Sequence, residues 1–259
     1  SGTLYVKQST VISLEVRGGV ADVSDSTLSF AVVDDTGDLT LRRTEITKNS
    51  NTSLRVNGGK ATIEDGTQIP CIVLVTGGEV QIDGGTFNGY EGHWLQQEGG
   101  LVSVNKGSLT GTMLVMGGEL NLLGGEYSSG EDGNFGLYQG GGKVTAENVA
   151  LSSTAMKEET EDGGTHFNHR CIWLDGGELT LQNTVVSGAV FINEGVKLEM
   201  TDSTIQTVNG AALYLDNSTA TLTDSTIQGQ NLAVNLGGKK ASVTLDGGDL
   251  QVRITPEGR

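Results

Sequence analysis

Apolar residues stand at fixed distances from a recurring corner in this chain, and that repeat leaves few folds open. Take Gly2, Gly19, Gly37, Gly59, Gly78, Gly100, Gly118, Gly142, Gly177, Val196, Ser218 and Ala241 as anchors; coils then run from 17 to 35 residues. Two residues beyond each anchor the side chain is apolar in all twelve coils, from Leu4 and Ala21 through Leu120 and Val144 to Val243. Four residues beyond it is apolar in all twelve again, from Val6 and Val23 to Leu245. Nine residues beyond, only Gln68 breaks the column, with Ile69 beside it. Apolar residues make up just 36% of the sequence, so this agreement is not a product of composition.

Offsets two and four share a parity and the residues between them are polar, as in Glu79, Gln81 and Asp83, so each coil carries a strand with one buried face. At offset six sits a residue that tolerates a left-handed corner, such as Asp25, Asn148, Asn183, Asp202 or Asp224. Ahead of the anchor runs another alternating strand: Leu14 and Val16, Val73 and Val75, Ile172 and Leu174. One coil cannot cover its own apolar side, so neighbours must stack. The expected fold is all-β, a right-handed parallel β-helix of about twelve coils with three short strands each. At ~4.8 Å per coil the rod would be roughly 55 Å long. Residues 1–259 read as a single domain. Both ends fall in register and carry no amphipathic cap, so the chain reads as a segment of a longer rod whose naked edges invite self-association.

The charge bounds the partners. With 32 acidic against 16 basic residues the net charge is −16. Such a surface repels nucleic acid and anionic membranes and suits a neutral or cationic partner. No apolar run is long enough to span a bilayer, so no direct membrane contact is expected. The chain opens at Ser1 without a leader-like stretch and reads as a processed piece.

Coils such as GGEVQIDGGTF, GGELNLLGGEY and GGELTLQNTVV resemble those in passenger domains of type V autotransporters, the pertactin-like adhesins. The resemblance covers the whole chain as a pattern of coil construction, one that polysaccharide lyases and phage tailspikes share. It implies secretion from a Gram-negative cell, display at the cell surface or release, and binding in place of chemistry. Cys71 and Cys171 depart from that family's habit. They stand four coils apart, ~19 Å along the axis, beyond the reach of a disulfide. Both are expected as free thiols packed as small core residues or at a corner.

No residue set in the sequence assembles a catalytic site. Glycosidases need two carboxylates at a set separation, and Asp34-Asp35 is the one acidic pair before a corner, equally a solvated turn. Gly92-His93-Trp94 half matches a polygalacturonase motif whose basic partner strand has no counterpart. His166 and His169, near Cys171, have spacing that could clip zinc, but read more simply as decoration of a long loop. We therefore expect no enzyme, no cofactor and no metal.

Two features break the monotony. The coil between Gly142 and Gly177 holds 35 residues, its excess falling in 152–169, a polar segment rich in helix formers around Met156 that should project as a loop. Beside it, outward positions on the strand before the anchor place Leu114, Tyr138, Trp173, Phe191 and Tyr214 in one ladder. Apolar patches on a polar rod mark binding sites. The ladder, with His166 and His169 of the loop, is the expected contact surface of an adhesin for a host protein or glycan. The alternatives are a polysaccharide lyase or glycoside hydrolase on the same scaffold, a structural spacer, or a ladder that only stabilises its sheet.

Overall fold

The computed structural model describes residues 2–47, 51–129, 135–153, 156–159, 165–168, 170–193, 195–208, 210–230 and 232–252. It is a parallel β-solenoid with no helix among these residues. Every coil lays its strand on the one before, so residues separated by a full winding become hydrogen-bonded neighbours.

On the first face, Leu4, Ala21, Leu39, Ala61, Val80 and Val102 follow one another in register, then Leu120, Val144, Leu179, Leu198, Ala220 and Val243. The offset-two column is therefore one continuous stack. A second face stacks Phe87, Leu109, Tyr127, Leu151, Val186, Ile205 and Ile227. The third stacks Leu54, Val73, Leu95, Met113, Leu137, Ile172, Val190 and Leu213. Their side chains meet in a single narrow core.

Two expectations need correction. The solenoid closes about nine turns, not twelve. The outermost rungs pair with their neighbours but do not enclose a core: Leu4 is 49% exposed and Leu245 44%. The ten rungs from Ala21 to Ala220 are buried, and ten rungs bound nine turns. Second, not every coil has three separate strands. Leu14–Ser24 and Ala31–Arg42 run unbroken through the anchor corner. At the break in the offset-nine column Ile69, beside Gln68, is buried and in register with Phe87, while Gln68 faces water. The corner at Asp65-Gly66 holds one extra residue, which moves the inward position on by one.

The corners use their glycines. Gly59, Gly78, Gly100, Gly118, Gly142 and Gly177 all have φ between 62° and 83°. A side chain there would also drive into the backbone of the coil below. Seven residues beyond many anchors lies a column of buried hydroxyls: Ser26, Thr44, Thr184, Ser203 and Ser225. The Thr184 amide donates to Ser203 Oγ at 3.1 Å and the Ser203 amide to Ser225 Oγ at 3.1 Å. The serine hydroxyls pair N–H groups at the bend, where the strand ladder is interrupted, while those of Thr44 and Thr184 donate to the Val23 and Ala146 carbonyls of the coil below.

The long coil carries two short strands, although its composition is rich in helix formers. Met156–Glu159 and Thr165–Asn168 pair antiparallel, Met156 opposite Asn168 and Glu158 opposite His166. They form a two-stranded sheet of their own beside the 31-stranded solenoid sheet. Cys71 and Cys171 are free and fully buried. Burial pushes both thiols up, that of Cys171 to about 12.

Candidate binding surface

The outward residues of the third face form the ladder that strand alternation requires. Leu114 pairs with Tyr138, Tyr138 with Trp173, Trp173 with Phe191, and Phe191 with Tyr214. All five are half-buried, so the patch is less open than an isolated sheet face would be. Three of the five pack on one another. Trp173 and Phe191 stack with centroids 5.2 Å apart and planes 19° apart; Phe191 and Tyr214 lie 4.3 Å and 5° apart. Trp173, Phe191 and Tyr214 lie like coins along the rod, the faces between them consumed by stacking.

Two residues outside the expected set complete the stack. Phe135 tilts against Trp173 at 5.5 Å and Tyr138 at 6.3 Å. The Arg170 guanidinium lies 5.6 Å from both the Trp173 and Phe191 centroids, within cation–π range. Each stands three residues ahead of a ladder residue, before its strand settles into alternation, so outward parity could not place it.

A polar column runs alongside. Two residues beyond each ring, on the same face, come Asp175, Asn193 and Asp216, so that Trp173-Leu174-Asp175, Phe191-Ile192-Asn193 and Tyr214-Leu215-Asp216 repeat one pattern in three successive coils. Tyr138 Oη donates to Asp175 Oδ2 at 2.7 Å and Trp173 Nε1 to Asp175 Oδ1 at 2.8 Å, with Asn193 Nδ2 donating to the same Oδ1. Partial burial pushes the Asp175 carboxyl up, but these three donors more than offset it and hold the group below the ordinary carboxylate range. The hydrogen bond to Asp175 in turn raises the Tyr138 phenol, with burial and the carboxylate charge adding to it. Tyr214 is anchored differently, its Oη accepting from the Ala211 amide at 3.2 Å. The signal for this second column was present in the sequence as an aromatic–aliphatic–Asx repeat.

At the far end the pattern stops. The register partner of Tyr214 is Asn235, followed two residues on by Gly237. The ring face that Tyr214 turns to this rung meets no other ring among the described residues. A depression of about 180 Å³ opens there, lined chiefly by Phe191, Asn193, Tyr214, Asp216, Asn235 and Gly237.

The other candidates fall elsewhere. The His166 backbone belongs to the hairpin, and His169 lies outside the described residues. Cys171, which shares their stretch of sequence, points into the core. Among the described residues no group of three His, Cys, Asp or Glu could hold a metal ion. Asp34 accepts from Asn57 Nδ2 at 2.7 Å, and Asp35 makes the corner at φ 50°. His93 Nδ1 sits 3.0 Å from the Glu91 carbonyl oxygen. Trp94, the last residue of the half-matched Gly92-His93-Trp94 motif, is fully buried and packs on Phe87 at 5.3 Å. No helix of the described residues is long and apolar enough to cross a membrane.

No family model, no curated protein and no solved structure matches the chain.

Proposed function

We propose that this chain is a non-catalytic binding rod, secreted or displayed on a bacterial surface in the manner of an autotransporter passenger. It engages a host protein or glycan through the face carrying Tyr138, Trp173, Phe191 and Tyr214. The observation that carries the reading is the local concentration of aromatic side chains. Five rings, Phe135 included, lie together on one half-exposed face of a chain that is only 5% aromatic. Aromatic residues are the commonest anchors of binding energy, and half-exposed ones stabilise the rod less than the same rings would in its core. The net charge of −16 supports a neutral or cationic partner and weighs against nucleic acid. The resemblance of the coils to autotransporter passengers supports the secretion route.

The test is adhesion of the labelled chain to mammalian epithelial monolayers. The double variant Trp173→Ala, Tyr214→Ala should bind at least about tenfold more weakly while keeping the β circular dichroism of the rod. Unchanged adhesion by that variant removes this face as the contact surface.

A further inference from the structure

We propose that the depression at the end of the aromatic stack is a subsite for one neutral pyranose ring of a glycan, which packs against Tyr214 where the next rung carries Asn235 and Gly237 in place of a ring and an acid. The inference rests on reading this face as a binding surface and names the ligand class.

The repeating pattern sets the shape. In three successive coils a ring is followed two residues later by Asp or Asn; in the next coil the same positions hold Asn235 and Gly237. The stack therefore ends at Tyr214, whose register partner is Asn235 in place of a ring, and beside it Gly237 leaves open space in register with Asp216. A methyl group on Gly237 would reach only ordinary contact, 3.5 Å from Asp216 Oδ1, so the space is real. Tyr214 is held for the purpose by the Ala211 amide, and Phe191 backs it at 4.3 Å.

The polar groups choose the ligand. Sugar rings have an apolar C–H face and a rim of hydroxyls that both donate and accept. The site offers both roles: the Asn235 amide makes no side-chain hydrogen bond among the described residues, and Asp216 spends Oδ1 on Asn217 Nδ2 at 3.1 Å, leaving Oδ2 to accept. A cation would use the Asp216 carboxylate but not an amide N–H. An anionic sugar would meet Asp216, with Asp175 behind it, on a chain already at −16. The volume of about 180 Å³ suits one ring.

The experiment is saturation-transfer difference NMR on the full chain. The probes are methyl β-galactoside, methyl α-mannoside and N-acetylglucosamine, against galacturonate and N-acetylneuraminate. At least one neutral sugar should receive saturation on its ring C–H protons, and the acids should not. Gly237→Val fills the depression without touching the ring and should cut the transfer at least about fivefold; Tyr214→Ala should do the same. Absence of transfer to all neutral sugars, transfer that survives both variants, or preference for the acids overturns the proposal. Adhesion lost on removing Trp173 and Tyr214 together with no sugar response would sink the subsite and leave the binding face standing. A sugar response abolished by Gly237→Val, with adhesion indifferent to the ladder, would do the reverse.

Discussion

A methyl group on Gly177 would overlap the carbonyl oxygen of Gly142 in the coil below, on a backbone already at φ 83°. Gly195 has the same backbone, φ 82°, but nothing within 4 Å of the added carbon. The pair separates two costs. Gly195→Ala should lose about 1 kcal/mol, the left-handed penalty alone, whereas Gly177→Ala should lose roughly 3 kcal/mol because the sheet must also part; urea unfolding of the two variants compares them. Asp175 gives a second test at this scale. Its folded carboxyl lies below the ordinary value, so it stabilises the native state above the unfolded pKa, and that contribution fades as pH falls through the folded one. Trp173 donates to this carboxylate, so its fluorescence should change with a midpoint below about 3.9. Asp175→Asn should erase that transition; buried Trp94 contributes a constant background.

Among elements, the hydroxyl column at the corner has a role that composition conceals. Ser203→Ala removes the acceptor of the Thr184 amide in a buried bend, and should cost about 1–3 kcal/mol, far more than an exposed serine would. Thermal melts of Ser203→Ala against an exposed control, Ser242→Ala, would show it. The hairpin at Met156–Glu159 and Thr165–Asn168 should be separable: replacing 154–169 with a short glycine linker should leave the melting temperature within a few degrees, since these strands pair only with each other. The strands themselves were legible in the sequence because alternation is a local rule: Leu120 and Leu122 announce their inward face two residues apart. The corners were legible only in part. Ser203 looks like an ordinary turn residue until the coil below supplies the amide it accepts from, and Thr184 until the Ala146 carbonyl of the coil below accepts from its hydroxyl. The ladder was readable as outward parity, which placed Trp173, Phe191 and Tyr214 correctly. Parity says nothing of ring tilt, so it could not show that the faces are spent on stacking, nor that Phe135 and Arg170 join from beyond the strand. Trp94 shows a second limit of parity: the register shifts between Asn88 and Leu95, and Trp94 enters the core beside Leu95.

As a whole the molecule is close to one-dimensional: each winding rests on two others and on no distant part of the chain. The excess negative charge is strung along that line, so the rod repels itself along its length. The screening length falls from about 30 Å at 0.01 M salt to about 10 Å at 0.1 M. The melting temperature should therefore rise by a few degrees over that interval, measured by circular dichroism, where a charge-balanced rod would not respond. The two thiols follow from the same geometry. Cys71 and Cys171 are sealed in different windings, and neither is a reactive thiolate while it stays there. An alkylating reagent must wait for each to be uncovered. The rod thus carries two built-in stopwatches at separate heights, and their relative labelling rates would tell whether it comes apart all at once or frays from one end.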